Sequence, residues 1–113
     1  MAYYVDEDIG VTIAKAVRSL QGHVKPAAVY LFGSQADGTA GPDSDIDLAA
    51  FVEREKPMNL PERVELAVSV QREAGDRIEL HVFPASSLQN PEPASFAEYV
   101  IEHGKRIDLN PGS

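Results

Sequence analysis

The chain contains no cysteine, which excludes disulfide staples and thiolate metal sites. No apolar run is long enough to span a membrane, and the first residues lack the basic-then-apolar order of a secretory signal. A cytoplasmic protein is therefore expected. Basic residues are few, 10 Lys and Arg against 18 Asp and Glu, for a net charge of −8. A surface of that sign repels phosphate backbones, so direct nucleic-acid binding is not expected. At 113 residues there is room for one domain with a modest core, and none for a second substrate domain. Internal repeats and low-complexity segments are also missing. The 43% hydrophobic and 25% charged content is ordinary for a globular protein, so function has to be sought in local pattern.

The apolar periodicity predicts an α/β chain. Residues 7–21 read as an amphipathic helix with Ile9, Ile13, Ala14, Val17 and Leu20 on one stripe, a start near Asp6 and a stop at Gly22. Residues 27–32, after Pro26, form a near-continuous apolar run of the kind found in a central strand covered on both faces. A second strand is expected over 45–53, a charged connection to Asn59, and a helix over 61–74 with Leu60, Val64, Ala67, Val68 and Gln71 inward and Gly75 as its stop. A third strand is expected over 76–83, with Ile78, Leu80 and Val82 on one face and Glu79 and His81 on the other. Ser95 and Glu98 have capping-box spacing at the head of a last helix ending at Gly104. Residues 105–109 offer an edge strand. The expectation is a small mixed sheet of three to five strands with helices mainly on one face, over 1–109, and a disordered tail over 110–113.

The densest chemical pattern lies between residues 28 and 49. The first strand runs into Gly33-Ser34, a turn-forming loop follows over 35–44, and the second strand opens on Asp45-Ile46-Asp47. Alternation on a strand puts Asp45 and Asp47 on one face. Two carboxylates so placed repel unless a cation lies between them, and hard oxygen ligands suit Mg²⁺. The plainer alternative is a solvated strand end after a turn, where Asp43 is also best placed. Gly33 permits close backbone approach; Ser34 either caps a short helix or joins Gly33 in holding an anion. Two similar motifs fail. Thr39 stands where a P-loop needs lysine. Leu48 and Arg54 stand where an EF-hand needs its turn glycine and closing glutamate.

Gly33-Ser34, ten residues and then Asp45-Ile46-Asp47 resembles the signature of the DNA polymerase beta-like nucleotidyltransferases. It is most similar to the minimal nucleotidyltransferases, written Gly-Ser-x10-Asp-x-Asp, which are about as short as this chain. Their best-described members are antitoxins paired with a small helical RNase toxin of the HEPN family. The resemblance implies a polymerase beta-like fold and AMP transfer from ATP to a hydroxyl, with a tyrosine of a HEPN-type partner as acceptor. Asp45, Asp47 and a third carboxylate would hold two Mg²⁺ ions, and Gly33 and Ser34 would hold the β- and γ-phosphates. Glu79 is the third carboxylate best placed within its strand, as ligand and general base; Asp76 competes from the strand's start, and an exposed strand carboxylate is the plain reading of Glu79. His81 reads as a polar strand residue or as a side chain supporting the ligands. Where many members read Gly-Ser-Arg-Ala-Arg-Gly, this chain has Gln35 and Asp37 in place of both arginines. A non-catalytic binding subunit and a transferase acting on a small molecule therefore stand beside the main expectation. A homo- or hetero-oligomer is compatible with each.

Overall fold

The structure is a computed structural model that describes residues 2–41 and 44–109. Asp43 and the 110–113 tail lie outside the described residues. Four strands form one mixed sheet in the order β3-β2-β1-β4. Strand β1 (Pro26–Phe32) is antiparallel to both β2 (Ile46–Val52) and β4 (Lys105–Arg106). Strand β3 (Ile78–Pro84) runs parallel to β2, and the crossover between them is helix α3 (Leu60–Ala74). A parallel pair needs such a crossover because its two strands start at the same end.

The apolar alternation of β1 and β2 feeds two cores. Val29, Leu31, Ile46, Leu48, Ala50 and Val52 point to the face covered by α1 (Ala2–His23) and α3. Ala28, Tyr30, Phe32, Ala49 and Phe51 point to the other face, partly covered by α4 (Phe96–His103) through Ala97 and Val100. Because β1 and β2 are buried on both sides, they read as continuous apolar runs. The helices thus lie mainly on one face, as expected, with the short α4 on the other.

Several local expectations are corrected. Helix α1 starts at Ala2, so Asp6 lies inside it, and it runs through Gly22 to His23. Its stripe adds Ala16 to Ile9, Val17 and Leu20. On α3 the buried residues are Leu66 and Val70, whereas Leu60, Val64 and Val68 are 64%, 53% and 40% exposed. Apolar residues occupy two stripes of this helix at the same spacing, so periodicity alone could not choose; packing against α1 and β3 did. Gln71 does face inward, its Nε2 donating to the Ile78 carbonyl at 2.8 Å. The capping box occurs at Asn59 and Glu62 on α3, where both reciprocal bonds form. At α4 only half of one forms: Ser95 accepts from the Glu98 N–H, while the Glu98 carboxylate takes the Ala94 N–H instead. Gly104 ends α4 with an ordinary negative φ of −80°. Its requirement is space, since a Cβ there would meet the Val100 and Leu31 carbonyls at 2.6 and 3.0 Å.

Candidate active site

The site is built where the C-terminal end of β1 meets the start of β2 and β3. Gly33 leaves β1 with φ +74° and ψ −153° and caps α2 (Ser34–Asp37), a single turn. The Ala36 and Asp37 N–H groups return to the Gly33 carbonyl, and those of Gly38, Thr39 and Ala40 converge on the Ser34 carbonyl. Ser34 is therefore the first residue of the turn, not its cap, and no side chain caps it. A Cβ on Gly33 would stand 2.5 Å from Oδ2 of Asp47. Glycine is thus required twice here, by the left-handed φ and by the carboxylate lying against its Cα.

The β2–β3 register pairs Asp47 with Glu79 and Ala49 with His81. All four side chains share the face opposite α1 and α3. One ligand atom each from Asp47, Glu79 and His81 lies within 4.8 Å of the other two. His81 packs edge-on against both Phe32 and Phe96, with ring centroids 5.3 and 5.5 Å away, and those two rings also touch each other at 5.3 Å. Asp45 sits exposed, one residue before β2, and is not part of that cluster. Its charge still reaches Asp47. Burial pushes the Asp47 carboxyl above its ordinary value; His81 and a hydrogen bond with Glu79 oppose this, and the like charge of Asp45 adds to it. Glu79, not Asp76, is therefore the carboxylate beside Asp47; Asp76 is exposed in the turn before β3.

The two positions without arginine have other tasks. Gln35 Nε2 lies 3.4 Å from the Ser44 and Asp45 carbonyls, tying the loop to the turn. Asp37 accepts from the N–H and hydroxyl of Thr39 at 3.0 and 2.6 Å, and these bonds, the hydroxyl's first, hold its carboxyl below its ordinary value. It points into an exposed turn rather than toward Asp47. Arg77, unnoticed in the sequence, clamps the loop end: its Nε and Nη2 donate to the Ser44 carbonyl at 3.2 and 2.9 Å. Its own carbonyl accepts from Ile46 N–H at 2.8 Å. Nothing local marks this contact, because its partners are 33 residues apart. His81 did carry a signal, its place two residues from Glu79 on one strand face.

A cleft of about 700 Å³ lies at the other end of β2 and β3, between Lys25, Arg54, Met58 and Ser86. We do not assign the chemistry to it, since the clustered ligand atoms are at the opposite end of those strands. A shallower cleft of about 280 Å³ borders His81 and is lined by Leu60, Val64, Phe83 and Phe96.

A small mixed sheet that presents a carboxylate pair beside a glycine-serine turn defines the nucleotidyltransferase class. Residues 14–108 match the family described as Polymerase beta, Nucleotidyltransferase, and the chain belongs to that family. Its fold is similar to that of a candidate nucleotidyltransferase from Sulfolobus solfataricus, with a TM-score of 0.60 and 22% identity over 78% of this chain and 79% of that one. It is also similar to a toxin–antitoxin structure with AMP-PNP, with a TM-score of 0.55 and 29% identity over 84% of this chain and 68% of that one. No curated protein matches the chain. Two carboxylates and an imidazole within 4.8 Å of one another are a donor set that fits a divalent cation.

Proposed function

We propose that this protein transfers AMP from ATP to a hydroxyl of a partner protein, the role of an antitoxin acting on a tyrosine of a small helical HEPN-type toxin. The observation that carries the reading is the Asp47–Glu79 pair, set by strand register and abutted by Gly33. Asp45, Asp47 and Glu79 are the residues that would hold two Mg²⁺ ions. Such ions neutralise the triphosphate and stabilise the entering and leaving oxygens of an in-line displacement. Gly33 and Ser34, at the turn, receive the β- and γ-phosphates. Glu79 is half in water and accepts the proton of the acceptor hydroxyl as that oxygen attacks the α-phosphorus. The α–β phosphoanhydride bond breaks and pyrophosphate leaves.

The toxin–antitoxin structure with AMP-PNP, 29% identical, supports both a nucleotide and a protein partner. So does the surface beside the site. Leu60, Val64, Phe96 and Tyr99 are exposed apolar side chains near the cleft that borders His81. Exposed apolar side chains gathered in one patch beside polar groups are a mark of a protein interface. The net charge of −8 favours a basic partner over nucleic acid. No described helix is long and apolar enough to cross a membrane, and we take the setting to be the cytoplasm.

One observation favours a second reading, a binding subunit that transfers slowly or not at all. Gln35 is engaged with loop carbonyls and Asp37 with Thr39, so neither position brings a cation to a triphosphate. Calorimetry of ATP with and without Mg²⁺ separates the readings. The transferase reading expects Mg²⁺-dependent binding that disappears in Asp45→Ala/Asp47→Ala. Absence of binding by the wild type, recovered by Gln35→Arg/Asp37→Arg, would leave the binding subunit as the function.

A further inference from the structure

We propose that His81 is a direct metal ligand, and that the cation held with Asp47 and Glu79 is a first-row transition ion in preference to Mg²⁺. The inference rests on the transferase reading and changes the identity of one of its ions. His81 Nε2 stands 3.9 Å from Glu79 Oε1, too far for a hydrogen bond. In an octahedral shell with ligands at about 2.1 Å, neighbouring ligands stand about 3 Å apart and opposite ones about 4.2 Å. The 3.9 Å gap falls between these limits, so one cation can touch both atoms with only small side-chain movement. The third member, Asp47, lies within the same 4.8 Å set.

The ring is also fixed in place. Phe32 and Phe96 grip it edge-on from two elements, β1 and the head of α4. Its partner across the β2–β3 ladder is Ala49, whose methyl leaves the imidazole room beside the Asp47–Glu79 pair. The side chain remains 32% exposed, so a hydrated ion can reach it. Asp45, by contrast, stays outside the cluster. The chain thus offers one borderline nitrogen and two hard oxygens at this position. Imidazole suits iron, nickel, copper and zinc, whereas Mg²⁺ keeps carboxylate oxygen and water; Mn²⁺, the weakest-binding of the first-row ions, is the most stringent probe of a nitrogen ligand.

The test uses Mn²⁺ as probe on the full chain, with free Mn²⁺ followed by its EPR signal and nitrogen coupling by pulsed EPR. Wild type labelled with ¹⁵N-histidine is expected to show a coupling that changes with the label. His81→Gln and His81→Phe are expected to bind Mn²⁺ at least about 10-fold more weakly, the least that loss of even an outer-shell partner costs, with Mg²⁺ affinity nearly unchanged. His81→Phe retains an aromatic ring against Phe32 and Phe96, so loss of the fold does not imitate loss of a ligand. Absence of label-sensitive coupling in the wild type, or unchanged Mn²⁺ affinity in both variants, overturns the inference. If Mn²⁺ binding depends on Asp47 but not on His81, only this inference falls. If Asp47→Asn also binds Mn²⁺ normally, the carboxylate site itself falls, and with it the transferase reading.

Discussion

The two faces of the sheet are built from the same strands and behave differently. The face under α1 and α3 is sealed: Val29, Ile46, Leu48, Val70 and Ile78 are each at most 2% exposed. The opposite face changes along its length. At the far end of β2 and β3, Phe51 and Phe83 stack 5.2 Å apart beneath hydrophobic cover. At the near end the same alternation delivers Asp47, Glu79 and His81 to a half-open surface. A strand cannot change one face without holding the other, so the sealed core is what fixes the ligands' positions. The difference also explains why, among the described residues, the unfavourable charge falls on the site face: Asp47 is partly buried, with Asp45 beside it, and its carboxyl is pushed up for that reason.

Four experiments would break or sharpen this contrast. The largest effect is expected from the sealed face. Leu48→Ala removes a side chain only 2% exposed and should destabilise the fold by about 2–5 kcal/mol. Chemical denaturation followed by circular dichroism checks this; a loss under 1 kcal/mol would show that the face is not close-packed. On the other face, Asp47→Asn should reduce AMP transfer by about 10²–10³-fold, the usual consequence of removing one group from a preorganised charge site. Its melting temperature should not fall. Retained transfer, followed with labelled ATP, would move the chemistry elsewhere.

Gly33→Ala joins the two effects at a smaller size. The backbone at φ +74° and ψ −153°, a region essentially confined to glycine, alone costs an alanine about 1–3 kcal/mol, and the new Cβ displaces the Asp47 carboxylate. Both stability and divalent-metal affinity should drop, whereas an ordinary turn glycine would lower stability alone. The smallest effect is the pH dependence of the metal-free protein. The folded-state pKa of Asp47 is raised above its unfolded value, so its contribution to stability is full below the unfolded pKa. That contribution is lost as pH rises through the folded pKa. Between pH 4 and 7 the wild type should therefore lose melting temperature relative to Asp47→Asn. An added divalent cation should remove the difference, because it favours the ionised carboxylate. A wild type that gains on the mutant as pH rises would reverse the sign assigned to burial.

Much of this was legible in the chain. The near-continuous apolar runs of β1 and β2 and the period-2 run of β3 announced the strands, because a strand covered on both faces is apolar throughout and one covered on a single face alternates with the pleat. The separation of Gly33-Ser34 from Asp45-Ile46-Asp47 announced the family by its resemblance to a known signature, and the antiparallel pairing of Phe32 with Asp47 is what brings the two halves of that motif together. The sequence could not decide between the two apolar stripes of α3. Both have helical spacing, and the choice of Leu66 and Val70 over Val64 and Val68 belongs to the surfaces of α1 and β3. Nor could it foresee Arg77 on the Ser44 carbonyl, Gln35 turned back to its own loop, or His81 gripped by Phe32 and Phe96. Those contacts, within one loop for Gln35 and between distant parts of the chain for Arg77 and His81, are made by side chains whose directions no local rule sets. Periodicity and spacing therefore determined the elements and the motif, since both are short-range constraints on the backbone. Tertiary packing alone decided which side chains stand around Asp47, since parallel register and helix cover exist only once the sheet has closed.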